Sequence, residues 1–259
     1  MKVQNQKPLV SVLLPVFNIG HFLPTCLDSL LSQNYEDIEI IAVDDLSRDD
    51  SLKILRLYKK TDKRLKVYAN VKHYGKGITL NRAVKKAKGK FIALMDGKDI
   101  VYKERFTKQV KFLIENEKVV AVGTQCNLID PNSKKLGRTS FPQEYDALYH
   151  KPLHTVSINF ESVMINRHLL PKDLIKFNIN EKTMLYSDLL IKLIQYGKIT
   201  NLPLTLQYRR TDINTTQTSI KDIPDLLKLW IKSIDSYDYK PSFRSFFSSV
   251  LRPPTLSTQ

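Results

Sequence analysis

A short apolar run that ends in carboxylates is the feature that most constrains the fold of this chain. Residues 91–95 read Phe-Ile-Ala-Leu-Met, and Asp96, Gly97, Lys98 and Asp99 follow directly. An apolar run of this length, bounded by turn-forming residues, is typical of a strand buried on both faces of a parallel sheet. Open parallel sheets bind ligands beyond the carboxyl ends of their strands. The sequence therefore predicts a ligand site at Asp96 and Asp99, with a lysine between them.

Two further apolar runs lie nearer the N terminus, and the second of them also ends in carboxylates. Residues 9–14 form an apolar run that ends at Pro15, and residues 38–43 form one that ends at Asp44 and Asp45. The segments between these runs have the apolar spacing of helices at 21–33, 52–57 and 78–88, and a short strand is predicted at 65–68. Strands that alternate with helices form parallel sheets with right-handed crossovers. The pattern therefore predicts an α/β fold.

Beyond Ile100 the periodicity is weaker. Further helices are predicted at 102–117, 188–196 and 223–234, and further strands at 119–122 and 162–165. The sequence contains no internal repeat and no low-complexity linker. We therefore expect one α/β domain followed by a C-terminal helix and a tail.

Composition argues against several other classes of protein. Of the 259 residues, 42% are hydrophobic and 26% are charged, as in soluble globular proteins. Cys26 and Cys126 lie far apart with neither a CxxC motif nor a histidine cluster, which argues against a disulfide scaffold or a zinc site and favours a reducing compartment. No apolar stretch approaches the roughly 18 residues that a membrane-spanning helix needs. We expect a cytoplasmic protein, either soluble or peripherally associated with the membrane.

The formal net charge of +15 admits an anionic partner such as a nucleotide diphosphate, an acidic membrane or a nucleic acid. The lysines are spread out rather than arranged in one stripe, so we expect most of them on solvated helix faces and expect no nucleic-acid partner. The tail from Tyr239 to Arg252 mixes aromatic side chains with cations. This tail fits docking on an anionic membrane, packing against the domain, or disorder.

Carboxylates at two strand ends suit a nucleotide. Acidic side chains accept hydrogen bonds from the base and the ribose, and a cation neutralises the phosphates. A single aspartate in such a place is usually a helix cap or a turn residue. The pairs Asp44-Asp45 and Asp96-Asp99 together favour a binding crevice.

In order and spacing, several segments resemble the family 2 glycosyltransferases, which have the GT-A fold. Residues 10–18 resemble the opening strand of that family, 27–33 its first helix, 43–49 its "VDDGSTD" segment, 75–96 the approach to its DXD motif, and 162–164 and 208–210 two weaker landmarks. The resemblance implies a Rossmann-like, mostly parallel sheet flanked by helices. It divides the chain into a GT-A domain at 8–220, with a nucleotide-binding half at 8–100 and an acceptor half at 101–220, and a C-terminal helix with a basic and aromatic tail at 221–259.

The resemblance also implies a reaction. Family 2 enzymes transfer a sugar, with inversion, from a nucleotide-diphosphate sugar, here expected to be a UDP-sugar, to a hydroxyl of a glycan or a lipid-linked acceptor. A carboxylate removes the acceptor proton, and Mn²⁺ or Mg²⁺ stabilises the departing diphosphate. By resemblance, seven residues are expected to bind the nucleotide: Pro15, Phe17, Asn18, Asp44, Asp45, Asp96 and Lys98.

Four positions depart from the family pattern. The DXD region of the family is usually Asp-Ala-Asp-Asp, and Lys98 replaces its third residue, which is the metal ligand. Tyr186 lies where the family has its catalytic base, so Tyr186 and the nearby Asp188 become the candidate catalytic residues. Thr211 and Phe160 lie where the family often has histidines. Each departure removes a group that metal-assisted inverting transfer uses.

Three hypotheses follow. The chain is an active transferase that uses Asp99 as its metal ligand and Asp188 as its base, or a pseudoenzyme or subunit that binds a nucleotide sugar, or a module that binds other proteins. Lys98 either neutralises the diphosphate in place of a divalent cation or is simply exposed. The expected function is sugar transfer in surface glycan assembly, and nucleotide-sugar binding without catalysis is the alternative.

Overall fold

The computed structural model describes residues 7–144, 148, 158–179, 184–211, 223–237, 239 and 256–257. The strands within these ranges are β1 Val10–Val16, β2 Ile38–Asp44, β3 Leu65–Ala69, β4 Phe91–Leu94, β5 Ile100–Val101, β6 Val119–Ile129, β7 Lys135–Thr139, β8 Met164–Asn166, β9 Lys198–Arg210 and β10 Leu256–Ser257. The α-helices are α1 Leu23–Leu31, α2 Ser51–Thr61, α3 Lys76–Lys86, α4 Arg105–Glu115, α5 Leu185–Ile194 and α6 Ile223–Tyr237. Most of the tail therefore lies outside the described residues, as does any contact it makes with a membrane.

The strands form one mixed sheet in the order β10-β7-β6-β8-β4-β1-β2-β3, and β9 pairs with β5 and β6. Strands β4, β1, β2 and β3 are parallel to one another. In their register Leu13 is opposite both Leu94 and Ile41, and Val16 is opposite Asp44. The carboxyl ends of β1, β2 and β4 therefore meet at one edge, as the sequence predicts for an α/β fold.

Helices cover both faces of the parallel strands, which explains why the central ones are mostly apolar, with Ser11 and Glu39 as buried polar exceptions. Val12 and Leu14 pack with α1, α2 and α4 on one face, whereas Leu13 packs with α3, α5 and α6 on the other. Successive side chains of a strand point to opposite faces, so a strand covered on both sides is a continuous apolar run. The single α/β domain expected from the alternating pattern is confirmed.

The second half of the chain differs from the prediction in several places: β5, β7 and β10 were not predicted, and β6 continues beyond the predicted 119–122. The strand predicted at 162–165 is a 3₁₀ turn, Phe160–Ser162, followed by the short β8. The long strand β9 was not predicted as a strand at all. Its residues are mostly polar and half-exposed, and its three buried aliphatic side chains, Ile199, Leu202 and Leu206, are too widely spaced to give a strand signal. Of the helices that the structure describes, none has the length and apolar composition to cross a membrane.

Candidate functional site

A cleft of about 220 Å³ opens at the edge where β1, β2 and β4 end. Its walls come from Pro15, Val16, Phe17, Ile19, Asp45, His73, Lys76, Thr79, Asp96 and Lys98. Five of the seven residues expected to bind a nucleotide are among them: Pro15, Phe17, Asp45, Asp96 and Lys98. The cleft lies where parallel sheets bind ligands, because each strand contributes the residues that follow its last hydrogen bond.

Asp45 shapes the cleft through hydrogen bonds within the protein. Its carboxylate accepts the backbone N–H groups of Tyr74 at 2.9 Å and Gly75 at 2.7 Å, and lies 2.9 Å from His73 Nδ1. Gly75 has a φ of 86° and a ψ of 166°, a conformation open essentially to glycine alone. Asp45 therefore fixes the turn that starts α3 and places Lys76, the first residue of α3, in the cleft.

Asn18 and Asp44 lie behind the cleft wall rather than in it. Asn18 receives the N–H of Arg48 on its side-chain oxygen at 2.8 Å, and its own N–H donates to Ser47 Oγ at 3.0 Å. Asp44 accepts the N–H of Ser47 through Oδ2 at 3.1 Å. Its other oxygen, Oδ1, is buried and has no hydrogen-bond partner within the described ranges. These two residues hold the 44–48 loop against the end of β1.

One wall of the cleft is aromatic. The rings of Phe17 and His73 stack with centroids 4.1 Å apart and planes inclined by 29°. Phe17 is 42% exposed, although aromatic side chains are normally buried. A flat, exposed ring backed by a second ring suits the stacking of a planar group such as a nucleobase.

Lys76 lies in the cleft, although it is not among the residues expected there from the sequence. Its ammonium lies 3.4 Å from Asp96 Oδ2 and 3.4 Å from Glu161 Oε1, and 5.0 Å from the centre of the Tyr186 ring. The side chain is 39% exposed, so a ligand in the cleft can reach it. Its only sequence signal is its position directly after Gly75 at the start of a predicted helix.

The charges of this cluster stabilise one another. Burial acts to lower the pKa of Lys76, but Tyr186, Glu161 and Asp96 outweigh it and raise this pKa well above its ordinary value. Burial likewise acts to raise the pKa of Asp96, and the nearby Lys76 outweighs it, so that the pKa of Asp96 is lowered. Lys76 is therefore a cation and Asp96 an anion at neutral pH.

Lys98 contributes to this end of the sheet through both its backbone and its side chain. Its backbone N–H donates to Asp96 Oδ1 at 3.0 Å, and its carbonyl accepts from Arg210 Nε at 3.0 Å. Its exposed side chain lines the cleft, but the ammonium that pairs with Asp96 is that of Lys76. Lys98 therefore closes the turn after β4 through its backbone and offers a second, mobile charge to the cleft.

Asp99 does not fit the expected role of metal ligand. Only 2% of it is exposed, and its two oxygens accept hydrogen bonds from Gln207 Nε2 at 2.6 Å and from the N–H of Arg210 at 2.8 Å. Burial, and then repulsion from Asp96 and Glu161, raises the pKa of Asp99 to about 8. Asp99 ties the turn after β4 to β9 and does not line the cleft.

Asp188 also does not fit its expected role, that of the catalytic base. It is 0% exposed, its oxygens lie 2.6 Å from Lys192 Nζ and from Lys232 Nζ, and the Tyr237 hydroxyl lies 3.3 Å away. Lys232 and Tyr237 belong to α6, so Asp188 fastens α6 to α5. It lines no part of the cleft.

Tyr186, by contrast, faces the Lys76 cluster. Its ring stacks on Phe160 with centroids 5.4 Å apart and meets Phe177 edge to face at 5.9 Å. Burial raises the pKa of the Tyr186 hydroxyl against the opposing effect of Lys76. The hydroxyl is therefore protonated at neutral pH and cannot accept a proton as the family's carboxylate does.

The residues of the cleft do not fit a divalent cation. Mn²⁺ and Mg²⁺ take oxygen ligands, and the carboxylates of Asp96 and Glu161 already share the ammonium of Lys76. Asp99 is buried and pairs with β9, and Lys98 brings a cation to the cleft rather than an oxygen ligand. Across the described part of the chain, no group of three His, Cys, Asp or Glu residues could hold a metal ion.

Solved structures share this fold. The chain is similar to Staphylococcus aureus TarS 1-349 in complex with UDP-GlcNAc, with a TM-score of 0.69 and 19% identity over 90% of this chain and 68% of that one. It is also similar to the mannosyltransferase PcManGT of Pyrobaculum calidifontis in complex with GDP-Man and Mn²⁺, with a TM-score of 0.70 and 18% identity over 95% of this chain and 70% of that one. These likenesses confirm the GT-A-like fold.

Sequence relatives point the same way. An uncharacterised glycosyltransferase of Haemophilus influenzae is 32% identical over 165 residues, which are 62% of this chain and 66% of that protein. A poly(ribitol-phosphate) beta-glucosyltransferase of Bacillus spizizenii is 38% identical over 117 residues, 44% of this chain but 18% of that protein. The matches thus span less than two thirds of the relatives' own length. The profile of the Glycosyl transferase family 2 matches residues 11–171, from β1 through the cleft to β8, and the chain belongs to that family.

Proposed function

We propose that this family 2 glycosyltransferase transfers a sugar from a UDP-sugar to an acceptor hydroxyl with inversion. In the donor site, a lysine stabilises the negative charge of the diphosphate in place of a divalent cation. The observation that carries the proposal is the position of Lys76. Its ammonium lies in the cleft, 3.4 Å from the two carboxylates of Asp96 and Glu161 that would otherwise be available to a metal.

The cleft accommodates the parts of a nucleotide sugar in order. The base stacks on the Phe17 face of the Phe17–His73 pair. Asp96, an anion in the fold, accepts the ribose hydroxyls, while Lys76 and Lys98 meet the diphosphate. The TarS and PcManGT structures contain UDP-GlcNAc and GDP-Man, which supports a nucleotide sugar as the donor.

The reaction needs stabilisation of the leaving group. As the acceptor oxygen forms its bond to the anomeric carbon, the bond from that carbon to the diphosphate oxygen breaks and negative charge grows on the diphosphate. Lys76 is held in place by two carboxylates, so it meets this charge without having to reorganise. Direct displacement on one face of the sugar inverts the anomeric configuration.

Glu161 is the carboxylate best placed to take the acceptor proton. Its side chain reaches the same ammonium as Asp96, and its backbone carbonyl is held by the buried guanidinium of Arg105 at 3.2 Å. Tyr186 fills the family's usual base position but keeps its proton, and its ring lies against the same lysine. The proton therefore passes from the acceptor hydroxyl to the Glu161 carboxylate.

The acceptor is proposed to be a glycan or a lipid-linked glycan at the cytoplasmic face of the membrane. The support is the similarity to the poly(ribitol-phosphate) beta-glucosyltransferase of Bacillus spizizenii. A second candidate function is binding of the nucleotide sugar without transfer. The protonated Tyr186 at the base position favours that alternative.

Calorimetry with UDP and with GDP, each with and without Mn²⁺, tests the donor site. We expect UDP binding that changes little with Mn²⁺, and roughly a ten- to hundredfold loss of affinity in Lys76→Met, because a hydrogen bond to a charged group is lost. Lys111→Met, on the exposed side of α4, is the control with the same charge change. Binding that occurs only with Mn²⁺ would overturn the proposal, and no binding of either nucleotide would favour the protein-interaction hypothesis.

A donor-hydrolysis and transfer assay separates the two candidate functions. Glu161→Gln is expected to keep UDP affinity within a few-fold while losing transfer, since the amide cannot accept the proton. Wild-type protein that binds UDP-sugar yet neither transfers nor hydrolyses it would establish the alternative. Retention of full transfer by Glu161→Gln would move the base to another residue.

A further inference from the structure

A second cavity, of about 550 Å³, lies at the end of the sheet opposite to the cleft. Its walls are Ala87, Lys88, Gly89, Lys90, Arg167, His168, Leu170 and Lys172. Phe91, the first residue of β4, pairs with Asn166, the last residue of β8, so the cavity adjoins the amino end of β4. Asp96 lies five residues beyond Phe91, about 17 Å away at the rise of an extended chain. We call this feature the basal cavity.

The basal cavity is cationic and carries no compensating carboxylate. Its cationic side chains are those of Lys88, Lys90, Arg167 and Lys172, and His168 lies beside them. None of the five forms an ion pair within the described ranges. All five side chains are exposed. Their positive charge is therefore available to an anion that enters the cavity.

Glu39 is a buried carboxylate close to the cavity, and its oxygens already accept hydrogen bonds from other groups. Glu39 accepts the backbone N–H of Lys88 at 2.7 Å, the hydroxyl of Ser11 at 2.5 Å and the ammonium of Lys66. Asp173, the neighbour of Lys172 in sequence, forms no ion pair among the residues that the structure describes. Neither acidic residue cancels the charge of the cavity.

The backbone under the cations is held rigidly. Arg167 donates its backbone N–H to the Lys90 carbonyl at 3.1 Å and its guanidinium to the Ala87 carbonyl at 2.8 Å. The N–H of Gly89 donates to Ser11 Oγ at 2.8 Å, and a Cβ on Gly89 would lie 2.7 Å from the backbone of β1. The segments 87–90 and 167–170 are thus locked together, so a ligand would have to order the exposed side chains but not the backbone.

We propose that the basal cavity binds phosphate groups, supplied either by the headgroups of an anionic phospholipid surface or as free phosphate. Lysine and arginine side chains converging on one concavity are the chemistry that recognises phosphate oxygens. The site is separate from the donor cleft, so it can hold the protein on a phosphate-bearing surface while the cleft stays open to a nucleotide sugar. The inference does not depend on which nucleotide the cleft binds.

Vesicle co-sedimentation provides the first test. The probes are vesicles of phosphatidylcholine alone and vesicles of phosphatidylcholine and phosphatidylglycerol in equal parts. The variant combines Lys88→Gln with Lys90→Gln, and the control combines Lys103→Gln with Lys108→Gln, which removes the same charge from exposed lysines around the start of α4. Each cation removed near an anionic surface lowers affinity roughly fivefold, so the Lys88 and Lys90 variant should bind the anionic vesicles roughly twenty-five-fold more weakly than wild type.

Calorimetry with pyrophosphate identifies the source. A lipid headgroup is supported if the protein binds anionic vesicles selectively and if the Lys88 and Lys90 changes weaken this binding whereas the control changes do not. Pyrophosphate binding that the same changes weaken, without vesicle binding, supports free phosphate. An equal loss in both double variants would show an effect of net charge alone and would overturn the proposal, as would the absence of any binding. A thermal melt unchanged from wild type checks that both variants fold.

Discussion

Replacing the buried Asp99 with asparagine is expected to remove a pH-dependent loss of stability between about pH 5 and pH 8. In the folded chain, burial and then repulsion from Asp96 and Glu161 raise the pKa of Asp99 to about 8. In the unfolded chain an aspartate has a pKa of about 3.9. Between these values the folded protein holds a proton that the unfolded chain has released. The free energy of unfolding therefore falls as the pH rises through this window.

The size of the effect follows from the linkage relation. One proton held by the folded state alone lowers the free energy of unfolding by about 1.4 kcal/mol per pH unit, or about 3 kcal/mol from pH 5.5 to pH 7.5. The variant Asp99→Asn has no proton to lose. Its amide also has an acceptor at hand, because Gln207 Oε1 is buried without a partner among the described residues, and rotation of the Gln207 amide brings this oxygen to the introduced N–H.

Urea unfolding at a series of pH values measures the difference. The free energy of unfolding of Asp99→Asn minus that of wild type should increase by about 1.4 kcal/mol for each pH unit across the window. Asp62→Asn is the control, since the hydrogen bond from Arg64 lowers the pKa of Asp62, so that its contribution is lost only at lower pH. A difference for Asp99→Asn that stays constant from pH 5 to pH 8 would show that Asp99 is ionised in the fold and would refute the reasoning.

Four further substitutions test the backbone and the supports of the cleft, each by urea unfolding. Leu46 is 46% exposed with a φ of 62°, so Leu46→Gly should raise the free energy of unfolding by about 0.5–1 kcal/mol. In Gly75→Ala the added Cβ meets no atom within 4 Å, but the alanine must adopt a φ of 86°. This variant should therefore lower the free energy of unfolding by about 1–3 kcal/mol. A change of the opposite sign in either variant would contradict the strain argument. Arg105→Ala removes the buried donor to the Leu94 carbonyl and should cost about 3–5 kcal/mol, whereas a loss below 1 kcal/mol would refute this role. Asp188→Ala should cost about 3 kcal/mol and open the segment between α5 and α6 to protease, and unchanged proteolysis would refute the anchoring role.

The parallel half of the fold could be predicted because its signals are local. A strand covered on both faces is a continuous apolar run, and β1, β2 and β4 each have one, bounded by polar or turn-forming residues. Strand β9 has no such run, because it lies beside β6 at the rim, with side chains such as Tyr208 and Arg209 half-exposed. Its place in the sheet is set by pairing with β6 across many intervening residues, and no window of the sequence contains that information.

The same distinction separates the parts of the cleft that could be predicted from those that could not. Asp45 and Asp96 follow strand ends directly, so the chain places them at the cleft as soon as the strands are parallel. Glu161 is 85 residues from Lys76, and their contact forms only when β8 inserts between β4 and β6. The sequence also could not say which carboxylate of the turn after β4 faces the ligand. The N–H of Arg210 and the amide of Gln207 draw Asp99 toward β9 and leave Asp96 in the cleft.

Charge links the proposed roles of Lys76 and Lys98. Asp96 brings a negative charge to the cleft, Glu161 lies 3.4 Å from the Lys76 ammonium, and a diphosphate would bring at least two more negative charges, so these cations favour binding of the proposed donor. Lys76 supplies a fixed charge that stays after the product leaves, whereas a divalent cation can leave with it. Lys98 adds a second positive charge in the same cleft. Lys76→Met should therefore do more than weaken UDP binding: by freeing the two carboxylates it should make the remaining affinity rise when Mn²⁺ is added.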